Sequence, residues 1–233
     1  MKLNVLDHGF VRFVEDYGRG DFGEAEAGII EAARQSTQGS FRGWDTDQKL
    51  LAFLYNNKHA TPFEFAGLIL EVRVPIFVLR EWHRHRTQSY NEMSARYSPL
   101  PDLNYIPSLE RLMLNAGGSN KQAGTVEGAV ELNEFTARNF IDDLKLSYSD
   151  SEKLYQDALA NGVPKELARI HLPVGRYSQM RVNANLRNWL AFLTLRMDPA
   201  AQWEIRQVAN AVGEIIAVKF PRTWELFDTG RKK

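Results

Sequence analysis

The chain of 233 residues contains no cysteine. That excludes disulfides, thiolate metal sites and a cysteine nucleophile, and it fits a reducing cytosol. An excess of charge is missing too: 29 basic and 29 acidic side chains give a formal net charge of +0. No global field draws such a chain to nucleic acid or a membrane, so any affinity for anions has to be local. No apolar run approaches the ~20 residues of a membrane span. Residues 1–10 lack the apolar core of a signal peptide. A soluble, cytoplasmic protein with no membrane partner is expected.

What is present is an ordinary globular composition, 44% hydrophobic and 25% charged, enough for one core. No linker, repeat or low-complexity tract divides residues 1–233, which predicts one domain. Residues 3–6 and 11–17 read as strands about a turn at Asp7-His8-Gly9. Residues 24–34 read as a helix, and Asp45 is placed as the cap of a second, with Leu50, Leu51 and Leu54 inward. The loop 59–64 is held non-helical by Pro62. Alternation over residues 68–74 gives the clearest strand, and Pro75 opens a helix running to about His85. Residues 117–124 are expected to form a mobile loop.

Residues 131–160 carry the period of one long amphipathic helix. A short helix follows Pro164, then a short strand over 177–182 and a helix over 185–196. Asp198-Pro199 is placed as the start of the last long helix, with Ile205, Val208, Val212 and Ile215 inward. The class predicted is α+β: long helices packed beside a small, mostly antiparallel sheet.

One stretch resists a structural role. Arg84-His85-Arg86-Thr87-Gln88-Ser89-Tyr90-Asn91-Glu92-Met93-Ser94-Ala95-Arg96 is too charged to form core. A solvated helix end is the bland reading, with Glu92 pairing with Arg96 four residues on. A metal at His83, His85 and His59 is disfavoured because flanking arginines repel a dication. Nucleic acid is disfavoured because the chain is neutral and the basic run short, although Trp82, Tyr90 and Tyr97 interleave with it. A pocket for a small phosphorylated ligand is favoured, since guanidinium forks match phosphate. Arg169, Arg187 and Arg196 downstream, together with Arg84, Arg86 and Arg96, carry charge enough for two anions, and Asn185 opens the same helix as Arg187.

The run from Arg84 to Arg96 resembles the signature of the flavin-dependent thymidylate synthases. The likeness extends to Leu6-Asp7-x-Gly9-Phe10, Ala32-Ala33-Arg34-x-Ser36 and His59-x-Thr61-Pro62-Phe63-Glu64. It continues through Pro164-x-Glu166-x-Ala168-Arg169, Asn185-x-Arg187, Leu195-Arg196 and Ala201-Gln202-Trp203-Glu204-Ile205. The resemblance implies conversion of dUMP to dTMP, with methylenetetrahydrofolate as carbon donor, FAD as hydride carrier and NADPH as reductant. It implies a homotetramer with shared sites. Ser36, Thr61, Glu64, Arg84 and His85 would line the FAD site together with Arg86, Asn185 and Arg187. His59 would stand where folate stacks on the flavin. Glu92, Ser94, Arg96, Arg169 and Arg196 would hold dUMP, with Arg84 near both ligands. Arg196 and His59 would be the catalytic residues. Glu81 and Ala191 depart from the family pattern.

Overall fold

A computed structural model describes residues 1–20, 23–114 and 124–231. Its centre is strand β3 (Gly67–Pro75), where Leu68, Leu70, Val72 and Val74 are fully buried and the residues between them half-buried. Such alternation specifies one face for a core. β3 is flanked by β2 (Gly9–Tyr17) and β5 (Tyr177–Asn185), with β1 (Lys2–Val5) and β4 (Ser89–Glu92) at the edges. All four pairings are antiparallel.

Helices cover the buried face: α1 (Ala25–Arg34), α2 (Trp44–Asn56), α3 (Ile76–Trp82), α7 (Leu186–Arg196) and α8 (Trp203–Lys219). α4 (Leu109–Met113), α5 (Glu134–Ala160), α6 (Lys165–Ala168) and α9 (Pro221–Arg231) complete the set among the described residues. The expected α+β class is the one found. The stripe Ile205, Val208, Val212, Ile215 of α8 is buried throughout. An aromatic block beside it, Trp82 stacked on Phe192 at 4.6 Å with Trp189 edge-on, locks α3 to α7. Each ring of this size contributes several kcal/mol, on the order of 3–5 by truncation.

Several expectations are corrected. Asp45 does not cap α2: Gly43, with φ of 92°, precedes the helix, and Asp45 and Asp47 lie in its first turn, where acids suit the dipole. Thr61–Glu64 forms a 3-10 turn, because Pro62 sits where a first helical turn tolerates a missing N–H. α3 stops at Trp82 rather than His85, and the signature contains the strand β4. β5 runs three residues further than the expected 177–182. Asp198 accepts from Ala200 N at 2.7 Å in a turn, and α8 begins only at Trp203. Pro221 ends α8 and also opens α9, which periodicity had not indicated.

The long helix α5 is present, capped by Asn133, whose Oδ1 accepts from Thr136 N at 2.9 Å. Only Ala137 and Tyr155 of it are fully buried, while Phe135, Leu146 and Leu154 stand 74%, 63% and 56% exposed. Of the loop expected over 117–124, all but Gly124 lies outside the described residues.

Candidate active site

The signature begins where α3 ends. Trp82 is buried, and its Nε1 donates to Oε1 of Gln88 at 2.8 Å, pulling the chain back on itself. Tyr90 hydroxyl then donates to the carbonyl of His85 at 2.7 Å. Burial pushes the Tyr90 hydroxyl up to about 12, so it remains a donor. These two bonds close residues 83–88 into a tight turn and present Arg84 and Arg86 outward.

Both those guanidiniums are exposed, and neither has a side-chain partner among the described residues. Two forks on one turn without side-chain partners can donate to the oxygens of an anion such as phosphate. His85 between them is turned inward, its ring 4.9 Å from Phe192. Burial, and then the charge of Arg196, push its imidazole down to about 4. It is therefore neutral near pH 7, and its Nε2 accepts from Nε of Arg196 at 2.9 Å.

Arg196 is the last residue of α7. Its Nη2 donates to the carbonyl oxygen of Glu81 at 3.2 Å, and its Nη1 lies 3.3 Å from Glu81 Oε1. The other end of α7 is tied to the same region. Asn185 caps it, its Oδ1 accepting from Asn188 N at 2.9 Å, and Asn188 Nδ2 donates to Thr87 O in the signature turn at 3.1 Å. Arg187 pairs with Glu64 of the 3-10 turn, joining two separate sequence motifs.

Ser36 follows α1, its hydroxyl donating to Ala33 O at 3.1 Å, and that helix packs on the 61–64 turn. Thr61 opens that turn, exposed; His59 just before it is exposed, its ring edge-on to Phe53 at 5.5 Å. His83 lies against Tyr90, and Ala191 is exposed on α7.

A second group lies at the far end of β4. Glu92 does not pair with Arg96; its Oε1 accepts from the hydroxyl of buried Ser178 at 2.7 Å. The reason is register: β4 runs beside β5, so Glu92 meets the strand rather than its own chain four residues on. Ser94 Oγ accepts from Arg96 N at 3.3 Å, and the Arg96 guanidinium is 3.7 Å from Glu166 of α6. Lys165 Nζ donates to Tyr97 O at 2.9 Å, docking α6 on this segment. Arg169, in the 3-10 turn after α6, is half-buried with no side-chain partner among the described residues.

Arg84, Arg86, Arg187 and Arg196 thus gather at one end of β4, and Arg96 and Arg169 at the other. Three strand steps of about 3.4 Å, or roughly 10 Å, separate the two ends. The sequence reading missed Gln88, Asn188 and Ser178, which fix the geometry. Only Gln88, an amide within reach of a core tryptophan, left a trace in the sequence.

The family described as "Thymidylate synthase complementing protein" matches residues 21–222. A flavin-dependent thymidylate synthase of Thermotoga neapolitana is 36% identical over 227 residues, 97% of this chain and 94% of that one. One from Thermus thermophilus is 37% identical over 228 residues, covering 98% and 78%. Among solved structures, the UMP/dUMP methylase PolB of Streptomyces cacaoi bound with 5-Br dUMP superposes with a TM-score of 0.82. It is 28% identical, with 98% of this chain and 99% of that one covered. With the signature turn, its arginines and these relatives spanning nearly its whole length, the chain belongs to the flavin-dependent thymidylate synthase family.

Proposed function

We propose that this protein reductively methylates dUMP to dTMP, with methylenetetrahydrofolate as carbon donor and NADPH as the source of electrons. Membership of the family makes the chain an enzyme, a thymidylate synthase of the methyltransferase class, with FAD as cofactor. The observation that carries the finer reading is the signature turn: two guanidiniums without side-chain partners among the described residues flank a histidine kept neutral by burial and by the charge of Arg196.

The residues present fit a dinucleotide. Arg84 and Arg86 would take its phosphates, while Arg187, braced by Glu64, and Asn185 border the same surface. Ser36, Thr61 and His85 complete that lining, and His59 is the residue against which folate would stack. When bound, the flavin would supply the hydride that reduces the transferred carbon to a methyl group; this chain has no cysteine for the thiolate addition by which conventional uracil methylation activates the ring.

The rest falls to the protein. Arg196 is aimed by His85 and by the Glu81 carbonyl, leaving guanidinium N–H groups to stabilise negative charge on uracil oxygens. Glu92, Ser94, Arg96 and Arg169 hold the nucleotide, Ser94 as a positioning hydroxyl rather than a nucleophile. Arg84 serves both ligands. The two arginine groups lie at opposite ends of β4, and a complete site would draw its residues from neighbouring protomers of a homotetramer, as the family resemblance implies. The apolar side chains exposed on α5 support such an assembly. The enzyme acts as one domain over residues 1–233, with no nucleic-acid partner, in the cytoplasm. Among the described residues no helix is long and apolar enough to cross a membrane.

The test is a purified sample, its spectrum, and an assay with dUMP, methylenetetrahydrofolate and NADPH. A yellow protein that forms dTMP is expected. A flavin-loaded protein that forms none contradicts the reading.

A further inference from the structure

The ion pair between Glu81 and Arg196 has a geometry that separates charge from orientation. The guanidinium has two well-placed acceptors, His85 Nε2 at 2.9 Å and the Glu81 main-chain oxygen at 3.2 Å. The Glu81 carboxylate is the loosest contact: Oε1 stands 3.3 Å from Nη1, beyond the ~2.7–2.9 Å of a charge-assisted bond. Its other oxygen, Oε2, is shut away from water and has no hydrogen-bond partner among the described residues. Leaving a carboxylate oxygen sealed and unpaired costs stability. The carboxylate is thus poorly engaged as a hydrogen-bond acceptor, yet it places a negative charge against the arginine.

We infer that Glu81 is an affinity-determining residue, an internal counter-ion that weakens the hold of Arg196 on an anionic nucleotide. This rests on the proposed reading of the site, in which Arg196 faces dUMP. The carboxylate opposes the field of the guanidinium at the uracil oxygens, and it repels the phosphate of the same ligand. Both effects vanish when the charge is removed, whereas His85 and the main-chain carbonyl still aim the arginine. An ordinary structural ion pair would behave in the opposite way, because breaking it would loosen Arg196 and weaken binding.

The experiment is equilibrium titration of the flavin-loaded protein with dUMP, for wild type, Glu81→Gln and Glu81→Ala, with flavin content as the check on folding. Glu81→Gln, isosteric and neutral, is expected to bind dUMP about tenfold more tightly, about 1.4 kcal/mol. Glu81→Ala gains as well, since it too lacks the charge. Unchanged or weaker binding by Glu81→Gln overturns the inference, and so does a loss by Glu81→Ala with no gain by Glu81→Gln. Failure of the wild type itself to bind dUMP is a different result, and sinks the proposed function along with this inference.

Discussion

Arg176 and Arg84 stand at opposite extremes of the same chain. Arg176 is fully buried, pairs with Glu152 at 2.6 Å and Asp102 at 3.0 Å, and donates to Leu100 O at 3.1 Å. Arg84 is exposed and has no side-chain partner among the described residues. Arg111 resembles the first, bound through two nitrogens to buried Glu204, whose carboxyl group is held below the usual range by that pairing despite its burial. Arg86 resembles the second, and Arg169, though half-buried, likewise has no side-chain partner among the described residues. A guanidinium taken out of water must be matched by carboxylates, so the buried, paired arginines hold the fold, and the exposed ones, above all those without a partner, can take an external anion.

That contrast can be broken from either side. Arg176→Ala strands the largely buried Glu152 carboxylate and leaves a gap where the guanidinium was, and a loss of about 3–5 kcal/mol is expected. Arg84→Ala should change stability by less than about 0.5 kcal/mol. Urea unfolding of both variants checks the pair, and equal losses would abolish the distinction.

Arg196 lies between the extremes, part-buried yet aimed by neighbours. Arg196→Ala should reduce dTMP formation by about 100-fold or more while flavin content stays near normal. Loss of flavin instead would move this residue from the nucleotide to the cofactor. A smaller effect concerns its partner His85. That imidazole is lowered from 6.5 to about 4, so between these values the unfolded chain binds the proton and the folded chain does not. The stabilisation is complete above 6.5 and fades as pH falls toward 4. Imidazole NMR should find His85 titrating near the lower value, and a midpoint near 6.5 would mean that the ring is not buried beside Arg196.

The sequence made the framework legible where one face of an element is buried. Alternation in β3 and the stripe of α8 read directly because Leu68 to Val74 and Ile205 to Ile215 divide cleanly between core and surface. β4 did not, since Ser89-Tyr90-Asn91-Glu92 has no apolar face; it is a strand because β5 offers it an edge. For the site, residue types and their grouping into motifs were readable, and the pairing of Glu64 with Arg187 ties two of those motifs together. Partners were not. Glu92 bonds Ser178, 86 positions away, rather than Arg96, a choice made by strand register and invisible to local spacing.

The central claim is that arginines from the two ends of β4 meet only between protomers. It is tested most directly by mixing two disabled variants, Arg84→Ala and Arg169→Ala, dissociating and reassembling them, and assaying dTMP formation. If sites are shared, some hybrid sites carry both native arginines, and activity returns well above that of either variant alone. If each protomer builds its own site, every site in the mixture keeps one defect, and no activity returns.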